Sequence, residues 1–382
     1  MCGGAGARLW PFSRQASPKQ LLAVVGQRSM LQETAARVAS SDFRRPLIVT
    51  GEEHGVIAEG QLAEIGVQPA AILLEPTARN TAAVAALAAE WALAGGEDEL
   101  LLLLPSDHFV LDRVAFHAAV RMAIATALEG GIVTFGVQPS GANTQYGYIE
   151  AKPEPSDASP VLKFVEKPDS KSAARFCRSG RHYWNSGIFL ARASTLVEEL
   201  EAYLPATREA VARAFGGRST NGRFIRPDSE SFSTLESISI DCAVMQKTKR
   251  AFVVPVDMGW SDVGSWSAVW SSSAKDDHNN VLVGDVLTID TRNSLVRSDG
   301  SAVVVTIGLE DVVVVGTKDA VLVAPMQRSD EVKGVVEQLA NAGRPCATKA
   351  PKASSDQPRL APEIAGAHLT TPLHRHPVAV ED

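Results

Sequence analysis

The chain has 382 residues, of which 45% are hydrophobic and 21% charged, and its net charge is −7. That is enough apolar material for a conventional core, it rules out wholesale disorder, and the length suits one large domain with a smaller attachment. With no basic stripe, a nucleic-acid backbone is a poor main partner, whereas a phosphorylated ligand needs only a few local cations.

In chain order, short apolar runs alternate with longer helical patterns: Leu47-Ile48-Val49, Ile72-Leu73-Leu74, Leu100 to Leu104 and Ile132 to Val137 read as strands buried on both faces. Between them, Thr81 to Ala94 and Val114 to Glu129 read as helices closed by Gly95-Gly96 and Gly130-Gly131. This rhythm predicts an α/β fold with a mostly parallel sheet. From about Asn280 the chain turns into closely spaced β-rich pieces, Val281 to Val283, Val286-Leu287, Ala302 to Ile307, Val312 to Val315 and Ala320 to Val323, which suit a small β-solenoid or a sandwich. A helical pattern follows from Ser329 to Ala342, then a Pro-, Ala- and Ser-rich stretch expected to be poorly ordered, whose His374 and His376 read as solvent-exposed.

Cys2, Cys177, Cys242 and Cys346 form no CxxC pair, so neither zinc nor a disulfide framework is expected. No apolar run approaches the roughly 20 residues of a membrane span, and the N-terminus lacks the pattern of a signal peptide. A soluble, cytoplasmic protein with no membrane or nucleic-acid partner is therefore expected.

The most informative segment is Gly3-Gly4-Ala5-Gly6-Ala7-Arg8-Leu9-Trp10-Pro11, followed by Ser17-Pro18-Lys19-Gln20. Glycines at 3, 4 and 6 let backbone N–H groups approach an anion, and Arg8 and Lys19 supply charge suited to a triphosphate. The loop lacks the Lys-Ser/Thr ending of a P-loop, and its glycines do not match the dinucleotide fingerprint, which disfavours an ATPase or a dehydrogenase.

Gly-Gly-x-Gly-x-Arg-Leu-x-Pro with Pro-Lys resembles the signature of nucleotidyltransferases that join a nucleoside triphosphate to a sugar 1-phosphate. The Leu-Trp-Pro and Pro-Lys-Gln versions are similar to the mannose-1-phosphate guanylyltransferases. The resemblance runs on through Glu75-Pro76-Thr77-Ala78-Arg79-Asn80-Thr81, Pro105-Ser106-Asp107-His108, Tyr146-Gly147-Tyr148-Ile149-Glu150, Phe164-Val165-Glu166-Lys167-Pro168, Trp184-Asn185-Ser186-Gly187-Ile188-Phe189, Ser239-Ile240-Asp241 and Asp262-Val263-Gly264-Ser265-Trp266. It implies a Rossmann-like, GT-A-like catalytic domain over residues 1–278, a small left-handed β-helix-like domain with a terminal helix over 279–345, and a tail over 346–382. It also implies transfer of GMP from GTP to mannose 1-phosphate, with release of pyrophosphate, use of Mg²⁺ or another divalent cation, and a homodimer joined through the C-terminal domain.

Each block has a physical reading. Asp107 sits at the carboxyl end of a buried strand, where α/β sheets place ligands, and with Asp262 it makes a hard-oxygen pair for Mg²⁺. A plain turn at Asp107, or a helix cap at Asp262, stays open on the residues alone. Glu166 suits vicinal sugar hydroxyls and Lys167 the sugar phosphate; Asn185 pairs with hydroxyls, while Gly147 and Gly187 let the backbone approach the ring. The aromatic neighbours Tyr146, Tyr148, Trp184 and Phe189 read equally well as core. Asn80 or Thr81 suits the N-cap of the alanine-rich helix, with Arg79 turned toward the nucleotide, and Glu75 closes the set on the nucleotide side.

Two departures from the family pattern carry expectations. A buried apolar strand normally leads into the Gly-rich loop, whereas Met1-Cys2 immediately precedes Gly3 here, so the central strand is expected to be cut short and its neighbours left with unpaired ladder groups. The stretch after 345 is too short to close a further cupin-like barrel, so isomerase activity is not expected. The same chemistry on another pair, such as UTP or dTTP with glucose 1-phosphate, and a catalytically silent sugar-nucleotide-binding relative remain the alternatives.

Overall fold

The computed structural model describes residues 1, 6–152 and 158–349. Gly3 and Gly4, and His374 and His376, lie outside the described residues. The strands of the first part are β1 (Leu47–Gly51), β2 (Ala71–Glu75), β3 (Leu100–Leu103), β4 (Phe109–Val110), β5 (Ile132–Val137) and β6 (Tyr148–Ala151). They continue with β7 (Ser159–Val165), β8 (His182–Arg192), β9 (Ser219–Asn221), β10 (Phe224–Arg226), β11 (Ala251–Pro255) and β12 (Trp260–Ser261).

These strands form a six-stranded sheet in the order β3-β8-β5-β11-β7-β6 and a four-stranded sheet in the order β1-β2-β10-β9. In the larger sheet β5 and β11 are parallel, while β8 and β7 run against their neighbours, so four of the six strands share one direction. In the smaller sheet β1, β2 and β10 are parallel.

The two sheets come together at Met1. Its ammonium donates to the Leu104 carbonyl at 3.0 Å, and its carbonyl accepts from the Ser106 amide at 3.0 Å, the pattern of a residue laid parallel beside the end of β3. Among the described residues β1 pairs only with β2, and β3 only with β8, so each presents one open edge. The helix Asn80–Ala94 spans this seam, packing on β1 and β3 and, on its other side, on helices Ala193–Tyr203 and Pro205–Gly216. That surrounding explains a helix apolar on all faces, with Ala82 to Ala89 buried throughout.

The 11-residue strand β8 is bent: its first half pairs with β6 (Tyr148 opposite Trp184) and its second with β3 (Leu103 opposite Phe189). The bend falls at a bulge opposite β5 and at Gly187, whose φ of 68° is costly for a residue with a Cβ.

Beyond residue 280 the chain winds into a β-helix. Strands β13 (Val281–Val283), β14 (Val286–Ile289), β15 (Leu295–Ser298), β16 (Val304–Ile307), β17 (Val312–Thr317) and β18 (Ala320–Pro325) stack as two sheets: β13, β15 and β17 in parallel with β18 antiparallel, and β14 with β16 in parallel. In-register parallel stacking across coils decides against the sandwich. Corners are turned by positive-φ residues, among them Gly284, Asp290, Asn293 and Asp311. The terminal helical pattern begins as a 3₁₀ turn, Met326–Glu331, before the α-helix Val332–Asn341.

Poor order does not set in directly after 345. Pro345–Ala347 forms a 3₁₀ turn, and the Cys346 carbonyl accepts the buried Trp10 indole N–H at 2.8 Å, which ties this segment down. From residue 350 on, the expected tail lies outside the described residues. Within them, Cys177, Cys242 and Cys346 are free thiols, and no helix is long and apolar enough to cross a membrane.

Candidate active site

The two aspartates singled out in the sequence are joined by a short ribbon. β4 follows Asp107 and His108, β12 leads into Asp262, and the two pair antiparallel, with Trp260 opposite Val110 and Ser261 opposite Phe109. Both carboxylates therefore emerge at one end of the ribbon.

Lys19 lies between them. Its ammonium is 2.8 Å from Asp107 Oδ2 and donates to the Asp262 backbone carbonyl at 2.6 Å. The residue is buried, so the cation is tolerable only because these acceptors replace its water. Burial would raise the Asp107 carboxyl, but the Lys19 charge and hydrogen bond, with His108 close by, hold it below the usual carboxylate range. The Gly6 backbone rests on the Lys19 stem: a Cβ there would stand 2.6 Å from Lys19 Cβ, and φ is 63°. Only glycine satisfies both conditions.

Asp262 is held by two donors on one oxygen. Tyr146 Oη donates to Asp262 Oδ1 at 2.7 Å and the Gly264 amide at 3.1 Å, which leaves Oδ2 outside those bonds. Asp262 does not cap the following helix; Ser265 does, accepting from the Ala268 amide. Tyr146 packs edge-on against Trp184 and Trp260, and the Trp260 indole donates to His108 Nδ1 at 3.3 Å, so aromatic edges set the walls of the site. Tyr146 is thus a site residue that its sequence block left indistinguishable from core.

The donor set suits a hard cation, since two carboxylates converge with oxygen atoms to spare. Among the described residues no group of three or more His, Cys, Asp or Glu is placed to hold a metal ion, so a divalent ion held by these two carboxylates would take the rest of its shell from water and phosphate oxygens, as Mg²⁺ commonly does.

A second group surrounds the bend of β8. Asn185 is buried; its Nδ2 donates to Asp241 Oδ1 at 2.6 Å, while its Oδ1 accepts from Thr134 Oγ1 at 2.9 Å and from the Gly187 amide at 3.2 Å. Its own amide donates to the Gly147 carbonyl at 2.9 Å. At Gly147 a Cβ would meet Glu166 Oε2 at 2.6 Å, so that position is held open by glycine. Lys167, at a φ of 46°, brings its ammonium to 3.1 Å from Glu166 Oε1 and stays largely exposed. Glu166, Lys167, Asn185, Gly147 and Gly187 are therefore gathered in one place, beside the ribbon through Gly187, whose nearest side chains are His108 and Pro105.

Asp241, on the π-helical turn Asp241–Met245, joins this group and was not singled out as a site residue in the sequence. Burial, then the neighbouring Glu166 charge, pushes its carboxyl up to about 6.

The block from Glu75 to Thr81 is arranged differently from expectation. Asn80 and Thr81 are not the N-cap: Arg79 occupies that position without a side-chain cap, and Asn80, at a φ of 66°, accepts from the Thr81 amide instead. Arg79 Nη2 donates to the Ser233 carbonyl and Thr81 Oγ1 accepts from the Ile240 amide at 3.0 Å, while the Ala82 amide of the first turn donates to the Ile238 carbonyl at 3.2 Å. Burial pushes the Glu75 carboxyl up to about 7, against the opposing Met1 ammonium. Arg8 reaches across to the loop before β6, donating to Gln145 Oε1 at 2.8 Å.

Comparison with known proteins identifies the family. A nucleotidyl transferase family model matches residues 1–279, and one for the MannoseP isomerase/GMP-like beta-helix domain matches residues 284–339. The chain belongs to the nucleotidyl transferase family. It is 48% identical over 348 residues to the xanthan biosynthesis protein XanB of Xanthomonas campestris pv. campestris (strain B100), covering 91% of this chain and 74% of that one. It is 43% identical over 343 residues to a mannose-1-phosphate guanylyltransferase of Escherichia coli, covering 89% and 73%. Among solved structures it resembles a Thermus thermophilus protein described as a mannose-1-phosphate geranyltransferase, with a TM-score of 0.77, 34% identity, and coverage of 89% of this chain and 98% of that chain.

Proposed function

We propose that this enzyme transfers GMP from GTP to α-D-mannose 1-phosphate, giving GDP-mannose and pyrophosphate. The observation that carries the reading is the convergence of Lys19, Asp107 and Asp262, in a chain that is 43% identical to a mannose-1-phosphate guanylyltransferase. In this reading residues 1–278 carry the chemistry, and the β-helix of 279–345 supports it.

A phosphate oxygen of the sugar attacks the α-phosphorus in line; the bond from that phosphorus to the bridging oxygen breaks, and pyrophosphate leaves. The residues act by positioning and charge neutralisation, without a covalent nucleophile. Lys19 and Arg8, with the backbone of Gly3, Gly4 and Gly6, would bind the triphosphate; Glu75, Arg79, Asn80 and Thr81 would border the nucleoside; Asp107 and Asp262 would hold Mg²⁺, which would supply positive charge to the phosphate oxygens. Glu166, Asn185, Gly147 and Gly187 orient the sugar, and Lys167 meets its phosphate. Formation of GDP-mannose from GTP and mannose 1-phosphate, followed by chromatography with and without EDTA, tests the reading. Metal-dependent product supports it, and absence of product under saturating substrates and Mg²⁺ refutes it.

We also propose a homodimer through the β-helix. Its β14/β16 sheet exposes Leu287, Ile289, Val305 and Ile307, aligned by the register Leu287 to Val305 and Ile289 to Ile307, an apolar strip that a second copy would bury.

A further inference from the structure

The β-helix reaches back to the Gly-rich segment through an ion pair whose guanidinium is buried and whose carboxylate is partly exposed. Arg14 is buried and lies just past the Leu9-Trp10-Pro11 turn; Asp319 sits between β17 and β18. The guanidinium grips the carboxylate with both terminal nitrogens, Nη1 on Oδ2 and Nη2 on Oδ1, each at 2.6 Å. Two further donors are used as well, Nε on the Pro11 carbonyl at 3.1 Å and Nη1 on the Lys349 carbonyl at 2.6 Å. A two-point grip fixes the orientation of the guanidinium plane, which a single contact cannot.

The backbone of Arg14 passes that orientation on. Its amide and carbonyl exchange hydrogen bonds with Ser17 at 3.0 Å each, closing a tight hairpin whose outgoing arm carries Lys19. On the incoming arm the Ser13 amide bonds to the Leu9 carbonyl at 3.0 Å, and Ser13 Oγ donates to the Gly6 carbonyl. Gly6 and Lys19 are thus carried on the two arms of one hydrogen-bonded unit, and Arg14 is its fulcrum.

We propose that Asp319 is a positioning residue for nucleotide binding, acting through Arg14 to hold Gly6 and Lys19 in the geometry that receives the triphosphate. The β-helix is then part of the nucleotide site and not only a surface for self-association. This rests on the guanylyltransferase reading. A buried guanidinium deprived of its one carboxylate will seek water and let the hairpin rotate, so the nucleotide loses a prepared site while the sugar pocket around Asn185 is left alone.

The test is Asp319→Asn, with Asp319→Glu as the conservative variant and Arg297→Met as the control. Arg297 makes a separate contact from the β-helix, donating to the Ala23 and Val24 carbonyls at 2.7 and 3.3 Å and stacking on Phe12, without touching Arg14. For Asp319→Asn the GTP KM and the calorimetric GTP Kd are expected to rise about tenfold, with the mannose 1-phosphate KM within about twofold, and Asp319→Glu is expected to recover most of the loss. Arg297→Met is expected to lower the melting temperature with little change in GTP affinity. Unchanged GTP constants in folded Asp319→Asn, or equal rises for both substrates, overturn the proposal. If Asp319→Asn does not fold, Arg14→Lys, which keeps the charge and loses the fork, carries the same test. Failure of the unaltered chain to bind GTP would count against the guanylyltransferase reading, whereas normal GTP binding that ignores Asp319 counts against this inference alone.

Discussion

The ammonium of Lys19 stands 2.8 Å from a carboxylate oxygen of Asp107, with both groups held by loops that the sheet brings together from distant parts of the chain. In the proposed reading a nucleotide would meet a cation already desolvated and aimed, and an Asp107 carboxylate whose charge Lys19 balances before any substrate is present. The pairing means that each partner is expected to fail in its own way when removed.

Asp107→Asn and Asp262→Asn are each expected to reduce turnover by about a hundredfold or more while leaving the fold intact, because each loses the negative charge proposed to hold Mg²⁺. Steady-state rates over a Mg²⁺ titration, with circular dichroism on the same samples, check this. Near-normal rates at saturating metal remove that residue from the metal site.

Lys167→Ala is expected to raise the KM for mannose 1-phosphate about tenfold and to leave that for GTP nearly unchanged, since its exposed ammonium sits beside Glu166, in the group proposed to take the sugar. Equal losses for both substrates would show that Lys167 does not face the sugar phosphate.

Asp241→Asn is expected to stabilise the fold more at pH 8 than at pH 5. The carboxyl titrates near 6 in the folded chain, above its usual 3.8, so folding favours the protonated form. Its favourable contribution is complete below the unfolded value and is lost as pH rises through about 6. Melting curves of both proteins at the two pH values decide; a larger stabilisation at pH 5 contradicts the assignment.

Leu287→Glu combined with Ile307→Glu is expected to give a monomer by sedimentation velocity, with catalysis little changed, because both side chains lie on the exposed β14/β16 strip and far from the aspartates in sequence. A dimer that persists in the double variant places the contact elsewhere.

Much of this site is legible in the sequence because its parts are local. A glycine-rich turn, an aspartate ending an apolar strand and a Glu-Lys pair each carry their chemistry within a few residues. What escapes depends on distant partners. Arg14 lies just outside the motif, and its carboxylate, Asp319, is 305 residues away, so nothing near it announces an ion pair. Tyr146 is indistinguishable from core until its hydroxyl is seen on Asp262. The strand Leu295–Ser298 escapes notice because it ends in Arg and Ser; Arg297 is buried there only because the Ala23 and Val24 carbonyls await it. The capping expectation for Asn80 fails for a similar reason, since a first-turn amide, that of Ala82, is taken by the Ile238 carbonyl from across the fold.

The central claim is a choice of substrates on a nucleotidyl transferase fold, and a panel of triphosphates and sugar 1-phosphates assayed for pyrophosphate release tests it most directly. GTP with mannose 1-phosphate is expected to give the highest kcat/KM, with UTP, dTTP and glucose 1-phosphate at least about tenfold lower, a margin that the loss of one or two site hydrogen bonds supplies. A higher kcat/KM for UTP or dTTP with glucose 1-phosphate would contradict it.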